Sequence, residues 1–293
     1  MRVILIHNPK AGGGKPSAFR LKTLFEEAGH EVLYASTMGA EWEKLLGKSA
    51  DVAIIAGGDG SVSLAALRLA ERGLPFCLLP LGTANNIAKS LNEDRRIDEI
   101  VAAVNTAKER SLDLGMVASC RGSQPPTESV GVGVLVELLR EDLRKTGAMK
   151  LSPIAEREIA LGRLRKISEE YKGIECELHL DGEKLNGRYL WVEVMNMGLI
   201  GPNLPLAPDA DPGDGRLDVV FVEMKQRRGL RNYFERLSTN EHAVLPALTR
   251  RCRRVEIHCS KANVHVDDAT YDFAVAAVEV KHGALRFLEP TDS

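Results

Sequence analysis

Residues 52–70, VAIIAGGDGSVSLAALRLA, limit the fold more than any other stretch. An apolar run ends in Gly57-Gly58-Asp59-Gly60, and a helical pattern follows at once. Strands that read as unbroken apolar runs belong to sheets covered on both faces, and such sheets are parallel. Glycine weakens strand and helix alike. The turn therefore needs what only glycine gives, either φ > 0 or close approach of the backbone to a ligand.

The same alternation fills residues 2–108. RVILIH (2–7), EVLYA (31–35), DVAIIA (51–56) and FCLLP (76–80) are short apolar runs. Between them, Phe19, Leu21, Leu24, Phe25 and Ala28, then Trp42, Leu45 and Leu46, recur at helical spacing. Further helical patterns cover 84–91 and 96–108. Strand–helix alternation of this kind predicts an α/β domain on a parallel sheet. After SLDLGMVAS (111–119) the pattern changes. CRGSQPPTES (120–129) gathers Pro, Gly and Ser and reads as a link. Shorter runs with period-2 alternation follow, among them IECELHLDG, GRYLWVEVMN, GRLDVVFVE, RVEIHC and NVHVD, and predict a mainly antiparallel β domain. Two helices interrupt it, at 153–170 and 228–239. A chain of 293 residues with 44% apolar content suits two such domains.

Composition excludes some functions. A net charge of −2 gives no basic field for nucleic acid. No apolar run reaches transmembrane length, and the apolar stretch before Asn8-Pro9 is too short for a secretory signal. Cys77, Cys120, Cys176, Cys252 and Cys259 are odd in number and lack C-x-x-C spacing. They read as reduced thiols of a cytoplasmic chain, with no disulfide or zinc framework.

Three glycine-bearing turns follow predicted strands: HNPKAGGGKPS, GGDGS and PLGTANN. In a parallel sheet they gather at the carboxyl edge, where helix N-termini and backbone N–H groups meet anions. Several turns on one edge suit a polyphosphate. GGGK is not a Walker A loop, because Pro9 stands at the first glycine position and Pro16 follows Lys15. Gly58-x-Gly60-x-x-Ser63 misses the dinucleotide pattern, with Pro80 where an acid belongs. Asp59 would repel phosphate unless a metal or a hydroxyl-bearing ligand intervenes, which suggests Mg²⁺–nucleotide. Otherwise it is a helix cap in a tight turn.

GGDGS, LPLGTANNIA and DLG (113–115), with the opening NPKAGGG, resemble the diacylglycerol kinase catalytic-domain family of lipid kinases. The second half adds VMNMGLIGPNLPLAPDADPGDGRLDVV (194–220), similar to the family's A-P-x-A and D-G-x-L-D run. The resemblance covers nearly the whole chain in order. It implies a two-domain NAD kinase/diacylglycerol kinase-like fold, α/β plus β: an N-terminal α/β domain (1–119, with 276–293 returning to it) and a C-terminal β-sandwich (120–275), with ATP between them. By motif match Gly57, Gly58, Asp59, Gly60 and Ser61 would hold phosphates. Asn8, Thr83 and Asn85 would lie nearby, as would Ser36 or Thr37. Asp211, Asp214 and the carbonyl of Arg216 match a Mg²⁺ site; without the family they read as an interstrand turn. The reaction implied is γ-phosphate transfer from Mg–ATP to a lipid hydroxyl. The partner implied is a lipid substrate at a membrane surface, with the protein cytoplasmic and peripheral at the membrane; an anionic membrane and a homodimer stay open as further partners.

Two positions depart from the family pattern. Asn86 replaces the Asp after GT-x-N. At the D-G-E position stands Asp267-Asp268-Ala269, which leaves Asp267 as the acidic group at the reacting hydroxyl, with Asp268 on the opposite strand face. Asp181-Gly182-Glu183 precedes the metal loop and reads as a hairpin turn. These departures keep open a pseudokinase that binds nucleotide or lipid without transfer; an NAD kinase is the other alternative. KQRRGLR (225–231) and RRCRR (250–254) fit anionic headgroups, or a solvated face and an edge strand kept soluble by charge. Residues 138–167 are amphipathic and read as a lipid-cleft wall or as core packing. His7, His179 and His265 lack metal spacing and read as packed side chains.

Overall fold

The structure, a computed structural model, describes residues 1–93, 95–119, 127–129, 131–133, 153–239, 241–267 and 269–290. The chain forms two compact units, Met1–Asp113 with His282–Ser293, and Leu114–Lys281. The pattern change and the family resemblance put the boundaries at 119/120 and 275/276. In the structure they fall inside two strands that run unbroken from one unit into the other.

The first unit runs β1 (Arg2–His7), α1 (Ala18–Glu27), β2 (Glu31–Ser36), α2 (Glu41–Leu46), β3 (Val52–Gly57), α3 (Asp59–Arg72), β4 (Phe76–Pro80), α4 (Asn86–Ser90) and α5 (Ile97–Ala103). All four strands are parallel, with β1 between β2 and β3 and β4 beyond β3. The chain thus moves to one side of β1 and then back across it. Right-handed crossovers place α1 on one face and α2 and α3 on the other. Val3, Leu5, Ile54 and Ala56 pack with Leu21 and Phe25 of α1 and Ile100 and Val101 of α5. Ile4, Ile6 and Ile55, pointing the other way, are equally buried. Double coverage explains why these strands show no alternation.

The helix expected over 96–108 ends at Ala103, and β5 (Lys108–Ser119) begins where its last turn was expected. Pairing with the last strand of the chain, β15 (Ala269–Glu289), overrides the helical spacing there. Within the first unit, Glu109 bonds Arg286 at 2.6 Å, and the ring of Phe287 lies 5.4 Å from that of Phe76. Phe287 pairs with Phe76 as β15 lies parallel to β4. Asp113, the acid of DLG, is buried and accepts from His282 Nδ1 (2.8 Å) and the Gly283 amide (2.7 Å).

The second unit contains β6 (Thr127–Ser129), β7 (Gly131–Gly133), α6 (Pro153–Glu170), β8 (Ile174–Leu180), β9 (Glu183–Met195), β10 (Leu199–Ile200), β11 (Leu204–Pro205), β12 (Leu217–Glu223), α7 (Arg227–Ser238), β13 (Leu248–Cys252), β14 (Arg254–Val266) and the start of β15. It is a β-sandwich-type domain of antiparallel pairs. β8 and β7 each lie between β9 and β14, at different points along those two long strands. Tyr189, Val192 and Val194 join one core with Leu178, Phe221 and Ile257. Leu190, Trp191 and Met195 join another with Leu161 and Leu164 of α6 and Leu230 and Phe234 of α7. β9 is therefore buried on both faces over its second half. The Asp181-Gly182 turn is the expected hairpin: both φ are positive (49° and 95°), and Leu180 pairs with Glu183. β13 is an edge strand whose Leu248–Arg251 side chains are exposed, as its charge pattern suggests. No helix among the described residues is long and apolar enough to cross a membrane.

Two sequence expectations need correction. Cys176 and Cys259 form a disulfide, while Cys77 and Cys252 are free and buried. The two bonded residues lie 83 apart in sequence, so spacing could not pair them. They face each other across β8 and β14, with Cα atoms 4.6 Å apart, the short cross-strand distance at which a bridge fits. The second correction concerns Asp267. The strand does not continue through it: Val266 pairs with Ala269, and Asp267 sits in the intervening turn at φ 47°. The opposite-face argument for Asp267 and Asp268 therefore fails, and Asp268 lies outside the described residues, as do residues 138–152 of the amphipathic segment.

Candidate functional site

The loops after β1, β2 and β3 meet where the strand order reverses, the position at which open α/β sheets leave a crevice. A cleft of ≈ 300 Å³ lies there, lined by Asn8, Lys10, Ala11, Thr37, Gly58, Gly60, Ser61, Leu64 and Gly82. The Asn8 amide bonds the Ala56 carbonyl (2.8 Å), and the Thr37 amide bonds that of His7 (2.9 Å), so both residues are fixed at strand ends. Asn8 Oδ1 accepts from the Lys10 amide at 3.0 Å, and Asn8 Nδ2 lies 3.4 Å from Ser61 Oγ.

The glycines have two separate reasons. Gly12, Gly13 and Gly14 all have positive φ (60°, 65° and 84°). Gly57, Gly58 and Gly82 do not; at these the reason is close approach. A Cβ on Gly57 would stand 2.6 Å from Ser61 Cβ, and one on Gly82 would stand 2.5 Å from Gly58 Cα. Two turns, one after β3 and one after β4, thus touch backbone to backbone.

This packing sets α3 at the cleft without a side-chain cap, because its N-cap is Gly58. By contrast α1 is capped by Ser17, which accepts from the Arg20 amide. The first-turn amides of a helix have no partner within it and carry the positive end of its dipole. Gly58 opens this 14-residue helix at the cleft that Lys10 also lines, and a helix end of this kind can attract an anion.

Asp59 Oδ2 accepts from the Asn86 amide (3.0 Å) and its Oδ1 from the Ile87 amide (2.9 Å), so it caps α4. The sequence placed Asp59 at the phosphates; the structure gives it a capping role as well, for a helix 27 residues on. Asn85 is also a loop brace: at φ 51° it donates from Nδ2 to the carbonyls of Gly82 (2.9 Å) and Pro80 (3.3 Å). Thr83 is exposed and is not part of the cleft lining. Lys10, Ala11, Leu64 and Gly82 also line the cleft; Lys10 and Ala11 stand inside NPKAGGG and Gly82 inside PLGTANN, whereas nothing in the sequence marks Leu64.

In the second unit, Asp211, Asp214 and Arg216 share one short loop before β12. Asp211 Oδ1 accepts from the Gly213 amide (3.1 Å), and Asp214 Oδ1 accepts from the Arg216 amide (2.9 Å). Both acids are exposed. Two carboxylates and a carbonyl form an all-oxygen donor set, which fits a hard, partly hydrated cation such as Mg²⁺. Arg251 lies 3.6 Å from Asp214 and bonds the buried Asp218 at 3.0 Å. Burial raises the Asp218 pKa, and Arg251 opposes the shift. Asp267 is half-buried in its own hairpin turn. The same unit holds a group that the sequence did not signal. Glu193 is fully buried; it accepts from Trp191 Nε1 (3.0 Å) and pairs with His265 Nε2 (3.1 Å).

Two of the arginines in the basic clusters serve the fold. Arg227 donates to the carbonyls of Ser168, Glu169 and Tyr171 at the end of α6, and Arg251 holds the acids before β12. Arg228 and Arg250 are exposed.

Residues 2–117 match the diacylglycerol kinase catalytic domain, and residues 143–289 match the YegS C-terminal NAD kinase beta sandwich-like domain. A diacylglycerol kinase of Mycobacterium tuberculosis is 27% identical over 255 residues, covering 83% of this chain and 78% of that protein. One from Bacillus subtilis is 26% identical over 234 residues, covering 76% and 74%. A crystal structure described as a diacylglycerol kinase from Bacillus anthracis shares the fold, with a TM-score of 0.71 at 17% identity over 98% of this chain and 96% of that one.

Proposed function

Because the chain belongs to the diacylglycerol kinase catalytic-domain family, we propose that it is an ATP-dependent lipid kinase that transfers the γ-phosphate of Mg²⁺–ATP to a lipid hydroxyl of a diacylglycerol-like or sphingoid substrate. The observation that carries the reading is the cleft at the strand reversal, with the glycine-opened N-terminus of α3, Lys10 and Asn8 around it. These groups bind and orient the phosphates. Asp211, Asp214 and the Arg216 carbonyl would hold Mg²⁺, which would supply charge neutralisation. Asp267 accepts the proton of the attacking hydroxyl. Phosphoryl transfer depends mainly on positioning and electrostatics, and a general base contributes about 10²–10⁴-fold, so Ala269 in place of Glu is compatible with turnover. The lipid is met at a membrane surface, where the exposed Arg228 and Arg250 favour anionic headgroups.

The test incubates the protein with γ-labelled ATP, Mg²⁺, vesicles carrying a panel of lipid alcohols, and NAD⁺ in a parallel arm. Label in a lipid phosphate is the expected result. Label in NADP⁺ would instead make it an NAD kinase. ATP binding with no transfer to any acceptor would make it a nucleotide-binding pseudokinase.

A further inference from the structure

A second cluster lies on the solvent face of the β-sandwich unit. Along β8 the core takes Cys176, Leu178 and Leu180, while Glu177 and His179 point outward. Along β14 the core takes Val255, Ile257 and Cys259, while Glu256 and His258 point outward. The register sets His179 opposite Glu256 and Glu177 opposite His258. Two Glu-x-His pairs on antiparallel neighbours thus make a square of alternating imidazole and carboxylate. The two rings stack with centroids 4.6 Å apart.

We propose that His179, His258 and Glu256 form a binding site for a late first-row divalent metal ion, with zinc as the natural occupant, clamped across β8 and β14. One donor atom from each of the three residues lies within 4.8 Å of the others. Glu256 Oε2 stands 3.3 Å from His258 Nε2 and 3.8 Å from His179 Nδ1. Its other oxygen is held by Arg254 at 2.8 Å, which leaves Oε2 aimed at the two rings. Tetrahedral zinc with bonds of about 2.0–2.1 Å needs donors roughly 3.4 Å apart, so a modest closing of side chains completes the set.

His179 Nε2 faces Glu177 Oε1, an acceptor, and a proton held there frees Nδ1 as the ligating atom. His258 Nε2 faces Glu256 Oε2, so zinc takes the place of a proton between those two atoms. A carboxylate on the far nitrogen of a ligating imidazole is the usual support for such a ligand. Lys184, 3.3 Å away, holds the same Glu177 oxygen in place. Two imidazoles and one carboxylate favour zinc, cobalt, nickel or copper over magnesium or calcium, which prefer all-oxygen sites. The site thus differs in chemistry from the Asp211–Asp214 loop. The strands are pinned by the Cys176–Cys259 disulfide, whose sulfurs lie on the core face and are not ligands.

Tag-free, metal-stripped protein is titrated with Zn²⁺ against a chromophoric chelator, and with Co²⁺ while its visible d–d bands are recorded. One ion per chain and the intense bands of a tetrahedral nitrogen–oxygen site are expected. His179→Ala or His258→Ala should weaken zinc binding by at least about 10-fold, and Glu177→Gln by about 10–100-fold, the usual effect of losing an outer-shell partner. Asp214→Asn should leave zinc binding unchanged. Circular dichroism checks that each variant is folded. No zinc uptake by the wild type, weak octahedral Co²⁺ bands, or wild-type affinity in the His179→Ala/His258→Ala double variant would each overturn the site.

Discussion

Replacing Gly82 with Ala tests why the glycines are there. The new Cβ would stand 2.5 Å from Gly58 Cα and 2.6 Å from Asn85 Oδ1. Ordinary carbon contacts are about 3.5–4.0 Å, so the turns after β3 and β4 must part by about 1 Å. Both obstacles are braced: Gly58 is backbone at the start of α3, and the Asn85 side chain is tied through Nδ2 to the carbonyls of Pro80 and Gly82. Overpacking of this kind costs about 1–3 kcal/mol. The same shift moves the first amides of α3, and a displacement near 1 Å at a positioning group costs up to about 10²-fold in rate. Gly58→Ala meets Gly82 Cα at a milder 3.0 Å and should fall between Gly82→Ala and the wild type. Gly29→Ala is the control. Its Cβ meets nothing within 4 Å, but φ is 83°, so it loses stability through backbone strain alone, about 1–2 kcal/mol. Denaturant melts and transfer from γ-labelled ATP are measured on all four proteins. The expected pattern is similar stability loss in Gly82→Ala and Gly29→Ala, with transfer lost only in the former. A Gly82→Ala protein with wild-type melting and wild-type transfer would refute the reasoning.

Other perturbations follow from the same structure. Asp59→Ala removes acceptors from two α4 amides and should destabilise the first unit by about 0.5–2 kcal/mol; an unchanged melting curve would show that the cap is idle. His7 and His30 are buried, and burial lowers both pKa values. The unfolded chain therefore binds more protons, so stability is complete above about pH 6.5 and falls as pH drops below it, by at most about 1.4 kcal/mol per pH unit for each histidine. His30→Leu should flatten that slope in melts between pH 5 and 7, and an equal slope would reject the assignment. Arg227→Ala should loosen the end of α6, measured as faster amide exchange at residues 165–171, and leave anionic-liposome binding intact. Loss of liposome binding with unchanged exchange would reverse the roles given to Arg227 and its exposed neighbour Arg228.

Much of this was legible in the sequence because it is periodic or local. Unbroken apolar runs gave the parallel strands, and alternation gave the antiparallel unit. Asp181-Gly182 announced its turn because only φ > 0 residues suit a two-residue hairpin. That the glycine turns share one edge could be read from the parallel strands, while Asn8, Thr37, Gly58, Gly60 and Ser61, which line the cleft, were named by motif match to the family. What stayed hidden depends on partners distant in sequence. Asp59 is adjacent to glycines in the chain, yet it caps the amides of residues 86 and 87. Cys176 and Cys259, like His179 and His258, meet only through the register of β8 and β14. No spacing rule along one strand contains that register. The turn at Asp267 was hidden for another reason: an aspartate at φ 47° stands where glycine is the usual signal.

A crystal structure of the protein soaked with Mg²⁺ and a non-hydrolysable ATP analogue would test the nucleotide site most directly. The triphosphate should lie against the first turn of α3, at Gly58–Ser61, with Lys10 and Asn8 beside it and the Asp59 carboxylate still on α4. A triphosphate bound elsewhere, or a cleft that stays without nucleotide at saturating analogue, would contradict the assignment.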